Sequence, residues 1–246
     1  MRILAIGNSF SMDATAHLDR MAQTDGENLY VLNLYIGGCS LKRHWDNVQA
    51  DAAEYDEQFH GVSTGNKLSI DQALADGPWD VITLQQASHD SGIYESYEPY
   101  LTELAAHVRE RAPEAQLWIH QTWAYEIDST HPEFVRYDHD QKKMYDALTD
   151  AYARAAAAID AKLIPCGEVI QTLRRLSPFD YAHGGRSLCR DGFHMDLTYG
   201  RYALAAAWYE CLTGRDVREN HYVPCDEAQE DVLALVKETV HRVCSC

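Results

Sequence analysis

The chain opens with Arg2-Ile-Leu-Ala-Ile-Gly-Asn-Ser-Phe-Ser11, and this stretch sets the expectation for the whole fold. The four consecutive apolar residues Ile3–Ile6 stop at a glycine, which is typical of a short strand buried on both faces of a parallel sheet. After Ser9 the apolar residues recur at helical spacing, with Ser11 or Asp13 as candidate N-caps. Ser9 is therefore predicted at the junction between a central strand and the helix that follows it.

That junction has a functional and a purely structural interpretation. Ligands of open α/β sheets bind at the carboxyl ends of the strands, where a helix N-terminus adds N–H groups and a partial positive charge. A serine hydroxyl in this place suits acyl-transfer chemistry, whereas the simpler interpretation is that Ser9 only caps the helix. The first stretch alone favours capping, so the choice depends on the rest of the chain.

Length and composition indicate one globular α/β domain over residues 1–246, without a Pro/Gly/Ser-rich linker. The net charge of -17 argues against a nucleic-acid partner. No apolar run approaches the ~20 residues of a membrane span, and the first run is too short for a signal peptide. The seven cysteines show no metal-like CxxC pairing and are interpreted as free thiols. A cytoplasmic protein without a membrane partner is expected.

Strand candidates alternate with helical patterns along the chain. After Ile3–Ile6 they are Leu29–Tyr35, Trp79–Leu84, Gln116–His120 and Lys162–Pro165. This rhythm predicts an α/β fold, namely a three-layer α/β/α sandwich around a flavodoxin-like, five-stranded parallel sheet. The segment 54–77 is polar and is expected to be irregular, with at most a small hairpin near Ser69.

Polar turns follow the first three strands, at Ser9, at Gly37-Gly38 and at Gln85-Gln86, and Asp191-Gly-Phe-His194 stands far downstream. The carboxyl ends of parallel strands share one edge of the sheet, so these turns can converge. A serine nucleophile needs a base, an orienting carboxylate and donors for the oxyanion. Ser9 is the candidate nucleophile, His194 the candidate base and Asp191 the candidate orienting carboxylate.

These motifs resemble those of the SGNH (GDSL-type) hydrolases, and among them the DUF4886 branch, whose members carry a GNSF serine turn and a DGFH block. The resemblance extends from Ile3 to the helix around Tyr202. It implies a three-layer fold and a serine esterase mechanism without a metal or cofactor. By position, Ser9 is the nucleophile, His194 the base and Asp191 its orienting carboxylate. The N–H groups of Ser9 and Gly38 form the implied oxyanion hole.

The chain departs from the family pattern at two places. Asn8 stands where an aspartate usually precedes the serine, which leaves the implied triad intact. The third-block Gly-x-Asn-Asp is absent, and Gln85-Gln86 takes its place. Sialate O-acetylesterase-like relatives use a glutamine in this block, so we expect Gln86 to be the third oxyanion donor, with Gln85 as the alternative.

Aromatic residues after strand ends are candidates for a substrate rim, because their faces suit stacking on sugar rings; core packing explains them equally well. The rim candidates are Trp45, Trp123 and Tyr125. Cys39 lies beside Gly38 and is interpreted as a packed thiol rather than a nucleophile. Several histidines and aspartates could be combined into a metal site, but no HxH or HExxH spacing supports one. They are His44, Asp46, His89, Asp90, His120 and His131.

The function predicted from the sequence is hydrolysis of a small acyl ester, with acetyl as first choice and a carbohydrate as a candidate alcohol. Two alternatives stay open. One is a non-catalytic, carbohydrate-binding relative of the fold, and the other is a metal-dependent phosphoesterase on a similar sheet. Oligomeric state is left undetermined.

Overall fold

The computed structural model describes residues 1–245, which form a mixed sheet flanked by helices. The strands are β1 (Arg2–Gly7), β2 (Tyr30–Tyr35), β3 (Tyr55–Phe59), β4 (Val62–Leu68), β5 (Val81–Leu84), β6 (Gln116–His120) and β7 (Lys162–Ile164). The α-helices are α1 (Ser9–Thr15), α2 (Leu18–Thr24), α3 (Leu41–Gln49), α4 (Ile70–Ala75), α5 (Tyr100–Arg111), α6 (Gln141–Ala158), α7 (Cys166–Leu173), α8 (Tyr199–Thr213) and α9 (Glu230–Cys244). None of these helices is long and apolar enough to cross a bilayer.

The sheet has the strand order β4-β3-β2-β1-β5-β6-β7. Five strands, β2-β1-β5-β6-β7, pair in parallel in the flavodoxin-like order, which confirms the predicted α/β architecture. The predicted count of five strands is wrong, because the segment 54–77 contributes the antiparallel pair β3 and β4 at the edge of β2. Nearly all of β4 is exposed, so it carries no apolar alternation that would predict a strand.

The hairpin also turns earlier in the chain than expected. Its two-residue connection is His60-Gly61, where both residues have positive φ angles, 49° and 75°. Two residues of positive φ match the right-handed twist of the flanking strands in a tight hairpin. Ser69 instead caps α4, accepting a hydrogen bond from the backbone N–H of Gln72.

β1 lies in the interior of the sheet, where Ile3 pairs with Val31 of β2 on one side and with Val81 of β5 on the other. Its apolar residues are buried, as the uninterrupted run predicts. Helix α8 packs against α1, α2, α7 and α9, so the helix that follows the Asp191–His194 block contacts the helix that follows β1. This packing brings the two distant parts of the predicted site together.

Candidate active site

Ser9 is the first residue of α1, directly after the strand that lies in the middle of the sheet. The N-cap is Asn8: its side-chain oxygen accepts the Phe10 N–H at 2.9 Å, and the Ser11 hydroxyl accepts the Asn8 N–H at 3.1 Å. The predicted N-caps Ser11 and Asp13 are therefore wrong. Since Asn8 satisfies the helix end, the Ser9 hydroxyl is not needed for capping.

The Ser9 hydroxyl instead contacts His194. Ser9 Oγ lies 2.8 Å from His194 Nε2, and His194 Nδ1 lies 2.7 Å from Asp191 Oδ2. Asp191 Oδ1 also accepts the backbone N–H of His194 at 2.8 Å, which fixes the turn that carries both residues. In this arrangement the carboxylate orients the imidazole and Nε2 faces the serine hydroxyl, which is the hydrogen-bond pattern that a serine hydrolase triad requires. Residues 185 positions apart in the chain thus meet within one hydrogen bond.

Asp191 is set up to stay ionised. Partial burial would raise the pKa of its carboxyl, but hydrogen bonds from the His194 ring and from the backbone N–H groups of His194 and Phe193 outweigh burial. The net effect is a pKa below the ordinary value of 3.8. Asp191 therefore carries its charge throughout the neutral range.

The predicted oxyanion glycine, Gly38, lies in the exposed turn after β2 with a φ of 60°. The Asn8 side chain donates to the Cys39 carbonyl at 3.1 Å, which ties this turn to the turn that carries Ser9. Within residues 1–245, neither the Ser9 N–H nor the Gly38 N–H donates to another protein group. Both donors are available at the same edge of the sheet, as an oxyanion hole requires.

The structure does not place Gln86 as a free third donor. Its amide nitrogen donates to the carbonyl and hydroxyl oxygens of Ser96, each at 3.0 Å, and its amide oxygen accepts the N–H groups of Leu41 and Ala87. These four bonds fasten Gln86 inside the protein. The expectation of a Gln86 donor therefore needs correction, because both of its amide hydrogens are already used.

Gln85, the alternative, is also buried and lies in a hydrogen-bonded chain. Its amide nitrogen donates to Asn8 Oδ1 at 2.7 Å, and its amide oxygen lies 2.8 Å from His120 Nδ1. This chain connects the ends of β1, β5 and β6. Gln85 thus positions Asn8, the N-cap next to the candidate nucleophile.

The predicted aromatic rim also needs correction. Trp123 has no exposed surface; its ring stacks on Phe10 at 4.1 Å, and its indole N–H donates to the Phe193 carbonyl at 2.8 Å. Tyr125 is equally buried, with its hydroxyl 2.9 Å from the hydroxyl of Ser88. Trp45 packs edge-on against a ring on α5, that of His107. Trp123 and Tyr125 are core residues and cannot stack on a substrate.

Two rings that the sequence did not assign to the rim lie beside the candidate triad. The half-buried Phe193 ring is 4.1 Å from the His194 ring, and His131 packs edge-on against Phe193 at 4.8 Å. His131 accepts the Glu133 N–H through Nδ1, which leaves Nε2 to carry the proton. The position of Phe193 inside the Asp191–His194 block could have indicated its place. Nothing in the spacing of His131 indicated that it would join this group.

Two of the histidines considered as metal ligands from the sequence lie in the protein core. His44 and His120 are fully buried, and burial lowers the pKa of each to about 3. Cys39 Sγ lies 3.5 Å from His44 Nδ1, a neighbour that the sequence did not predict. Burial raises the pKa of the Cys39 thiol to about 12, so this pair is neutral and inert as a nucleophile.

Within residues 1–245, three side chains that could ligate a metal lie close together, namely Glu210, Asp216 and His241. None of the triad residues belongs to that cluster. Its own groups already bond to one another, with His241 Nδ1 2.8 Å from Glu210 Oε1. The histidines and aspartates suspected from the sequence are not part of it.

Comparison with known structures defines the class of the fold. A proposed SGNH hydrolase from Slackia heliotrinireducens is 23% identical, with a TM-score of 0.58 over 85% of this chain and 97% of that one. An acetyl xylan esterase is 12% identical, with a TM-score of 0.58 over 86% of this chain and 100% of that one. The chain has the three-layer fold of the SGNH hydrolases, as expected from its motifs.

The family is narrower than the fold. The model of DUF4886, a domain of unknown function, matches residues 2–242. A DUF4886 family protein from Bacteroides uniformis is 39% identical, with a TM-score of 0.90 over 99% of this chain and 94% of that one. This protein therefore belongs to the DUF4886 family, which confirms the resemblance. The search of curated proteins found no match.

Proposed function

We propose that this protein is a serine esterase that cleaves a small acyl ester through Ser9, His194 and Asp191. The observation that carries the proposal is the continuous hydrogen-bond chain from Ser9 Oγ through the His194 ring to Asp191, with distances of 2.8 and 2.7 Å. Ser9 also stands at a helix N-terminus on the sheet edge where α/β folds bind ligands. The SGNH fold and the family's place within it support the same reaction.

The acylation step follows from this geometry. Ser9 Oγ attacks the ester carbonyl carbon while its proton passes to His194 Nε2, and the charge that develops on the carbonyl oxygen is met by the N–H groups of Ser9 and Gly38. The tetrahedral intermediate then expels the alcohol, which takes the proton from His194. An acyl-serine remains. Asp191 holds the imidazole in the correct tautomer and stabilises its charged form.

Deacylation repeats the sequence with water as the nucleophile. His194 Nε2 accepts a proton from water, the hydroxyl attacks the acyl carbon, and Ser9 Oγ leaves with the proton returned by His194. The products are a carboxylic acid and an alcohol. The residues of this chain supply every proton transfer.

The substrate class is an acetyl or similarly small acyl ester, with a carbohydrate as a candidate alcohol. Asp191 is 41% exposed and the Gly38 turn is open to solvent, so the ester lies at an accessible edge of the sheet. One similar fold is that of an acetyl xylan esterase, which makes an acetylated sugar a sensible first substrate. With Trp123 and Tyr125 buried, Phe193 is the ring best placed to contact the substrate.

The test combines active-site labelling with one substitution. A fluorophosphonate probe followed by peptide mapping should label Ser9, and Ser9→Ala should lose both the label and hydrolysis of p-nitrophenyl acetate. Ser63→Ala, which alters an exposed hydroxyl of the edge hairpin, is the matched control and should keep both. A label on another residue, or unchanged hydrolysis by Ser9→Ala, would overturn the proposal.

Two further results would favour the alternatives. A wild-type protein that binds acetylated sugars but takes no label and hydrolyses none of them would be a non-catalytic relative. Hydrolysis of phosphate esters that stops when a chelator is added, with bound metal by elemental analysis, would favour the phosphoesterase.

A further inference from the structure

The candidate nucleophile helix carries a second group that reaches the loop of the candidate base. Asp13 lies one turn beyond Ser9 on α1, and its side chain has no exposed surface. Its carboxylate accepts the backbone N–H of Met195 at 2.9 Å, both oxygens lie 3.1 Å from Arg190 Nη1, and Arg201 Nε donates at 2.9 Å. Asp13 therefore joins α1 to the segment 190–195 and to α8.

These contacts fall on the two ends of the loop that carries Asp191 and His194. The Arg190 N–H donates to the His194 carbonyl at 2.9 Å, and the Arg190 guanidinium also donates to the Met195 carbonyl. Arg190 precedes Asp191, and Met195 follows His194. A single carboxylate thus holds both ends of the loop against the helix that begins with Ser9.

The negative charge of Asp13 is balanced by two arginines of the neighbouring segments. A buried carboxylate is stable only with cations or several donors around it, and Asp13 has two guanidinium groups and one N–H. If Asp13 loses its charge, Arg190 and Arg201 lose their shared counter-ion. Arg190 is also the neighbour of Asp191 in the chain.

We propose that Asp13 is a positioning residue that sets the distance and angle between Ser9 Oγ and the His194 ring. The inference rests on the proposed esterase function and goes beyond it. Asp13 bonds to neither the Ser9 hydroxyl nor the His194 ring, so its effect on them passes through Met195 and Arg190. A displacement of about 1 Å between reacting groups can lower a rate by about 100-fold, and such a shift is what the loss of this carboxylate would permit.

The first experiment compares Asp13→Asn with the wild type in kcat, KM and the rate of fluorophosphonate labelling. We expect kcat and the labelling rate to fall about 100-fold while KM for p-nitrophenyl acetate changes less than about two-fold, because the defect lies in the reacting pair. The matched control is Asp25→Asn. Asp25 accepts the Asn220 amide at 2.7 Å and the Tyr209 hydroxyl, joining α2 to α8 and the segment after it without contacting residues 190–195.

The control separates positioning from general stability. Asp25→Asn should lower the melting temperature yet leave kcat within about two-fold of the wild type. If both variants lower kcat in proportion to their loss of stability, or if Asp13→Asn folds and keeps the wild-type kcat, the positioning role is overturned.

A second pair of variants decides the question should Asp13→Asn fail to fold. The side-chain contacts that join Arg190 to Asp13 and Met195 all use Nη1, so a lysine ammonium can replace that atom. Arg190→Gln should lower kcat about 10-fold and Arg190→Lys should restore most of the loss. Equal activity in Arg190→Gln and the wild type would contradict the proposal. Unlabelled Ser9 in the wild type would overturn the esterase function itself, whereas a labelled wild type with normal variants overturns only the role of Asp13.

Discussion

At the scale of single residues, the Asp-x-x-His spacing occurs twice within a short stretch and has different surroundings each time. His183 Nδ1 lies 2.9 Å from Asp180, just as His194 lies close to Asp191, but the His183 side chain is 81% exposed. The other ring nitrogen of His194 lies within hydrogen-bond distance of the Ser9 hydroxyl. Among residues 1–245, His183 has no such serine neighbour. The carboxylate–histidine pair is therefore a local feature of the sequence, and the serine contact makes it a candidate triad.

The repeated spacing provides a matched test of Asp191. Asp191→Asn should lower kcat by about 10² to 10⁴-fold, because an amide cannot hold the imidazole in the required tautomer or stabilise its charged form. The pKa of Asp191 is held below 3.8, so the wild-type carboxylate is charged at pH 8, where the two proteins are compared. Steady-state hydrolysis of p-nitrophenyl acetate checks this.

Asp180→Asn is the control for that measurement, since it removes the carboxylate from the other pair. Its kcat should stay within about two-fold of the wild type. Similar losses in the two variants would show that the Asp191 effect is not specific to the triad.

At the scale of elements, the edge hairpin contacts the connection between α1 and α2. A Cβ added to Gly61 would lie 2.9 Å from the backbone Cα of Ala16, the C-cap residue of α1. Gly65 lies in the same hairpin with a similarly positive φ of 81°, and a Cβ there would meet nothing within 4 Å. The two glycines therefore share a backbone requirement and differ in packing.

The difference between the effects of alanine at Gly61 and at Gly65 measures the packing contribution. Gly65→Ala should lower the free energy of unfolding by about 1 kcal/mol, the cost of a side chain at positive φ. Gly61→Ala should lower it by about 2–3 kcal/mol, because the alanine methyl also collides with backbone that cannot move aside easily. Urea unfolding followed by circular dichroism gives both values. Equal losses would mean that the hairpin does not press against the α1–α2 connection.

At the scale of the whole molecule, a buried hydrogen-bond chain connects four strand ends. It runs from His120 through Gln85 to Asn8 and on to the Cys39 carbonyl after β2. Gln85 Oε1 can only accept, so His120 Nδ1 carries a proton. His120 is fully buried, and burial lowers its pKa to about 3.

This neutral histidine makes the fold sensitive to acid. The unfolded chain takes up a proton on His120 near pH 6.5 and the folded chain does not until about pH 3, so stability falls as the pH drops below 6.5. Between pH 7.5 and pH 5 the loss should be about 2 kcal/mol for this residue. His120→Asn keeps a donor near the Nδ1 position and should remove that part of the pH dependence.

Urea unfolding at the two pH values measures the effect as a difference, so any constant destabilisation by the substitution cancels. His221→Asn, at an exposed histidine, should leave the pH dependence as it is in the wild type. An unchanged pH dependence in His120→Asn would contradict the neutral, buried state of this histidine.

The predictable part of the fold is the part with strong one-dimensional patterns. The parallel strands can be predicted because burial on both faces requires uninterrupted apolar runs. The long helices can be predicted because burial of one helix face requires an apolar period of 3.6 residues. The sequence predicted only a small hairpin near Ser69 and not the strands β3 and β4 themselves, because edge strands are polar and their His60-Gly61 turn lacks a strong hairpin signal. The buried position of Trp123 was equally unpredictable, since an aromatic residue after a strand end suits the core or the rim.

The sequence by itself determined the class of fold, the place of Ser9 at the end of an interior strand and the Asp191–His194 pair, because each follows from local spacing. Only the tertiary structure decided that Ser9 lies within hydrogen-bond distance of His194, that both amide hydrogens of Gln86 bond to Ser96, and that Asp13 bonds to Arg190 and Met195 on either side of the Asp191–His194 segment. The physical reason is directional: a hydrogen bond between residues 185 or 182 positions apart, or between two loop residues such as Gln86 and Ser96, depends on helix packing and side-chain orientation. No periodicity along the chain encodes those two quantities.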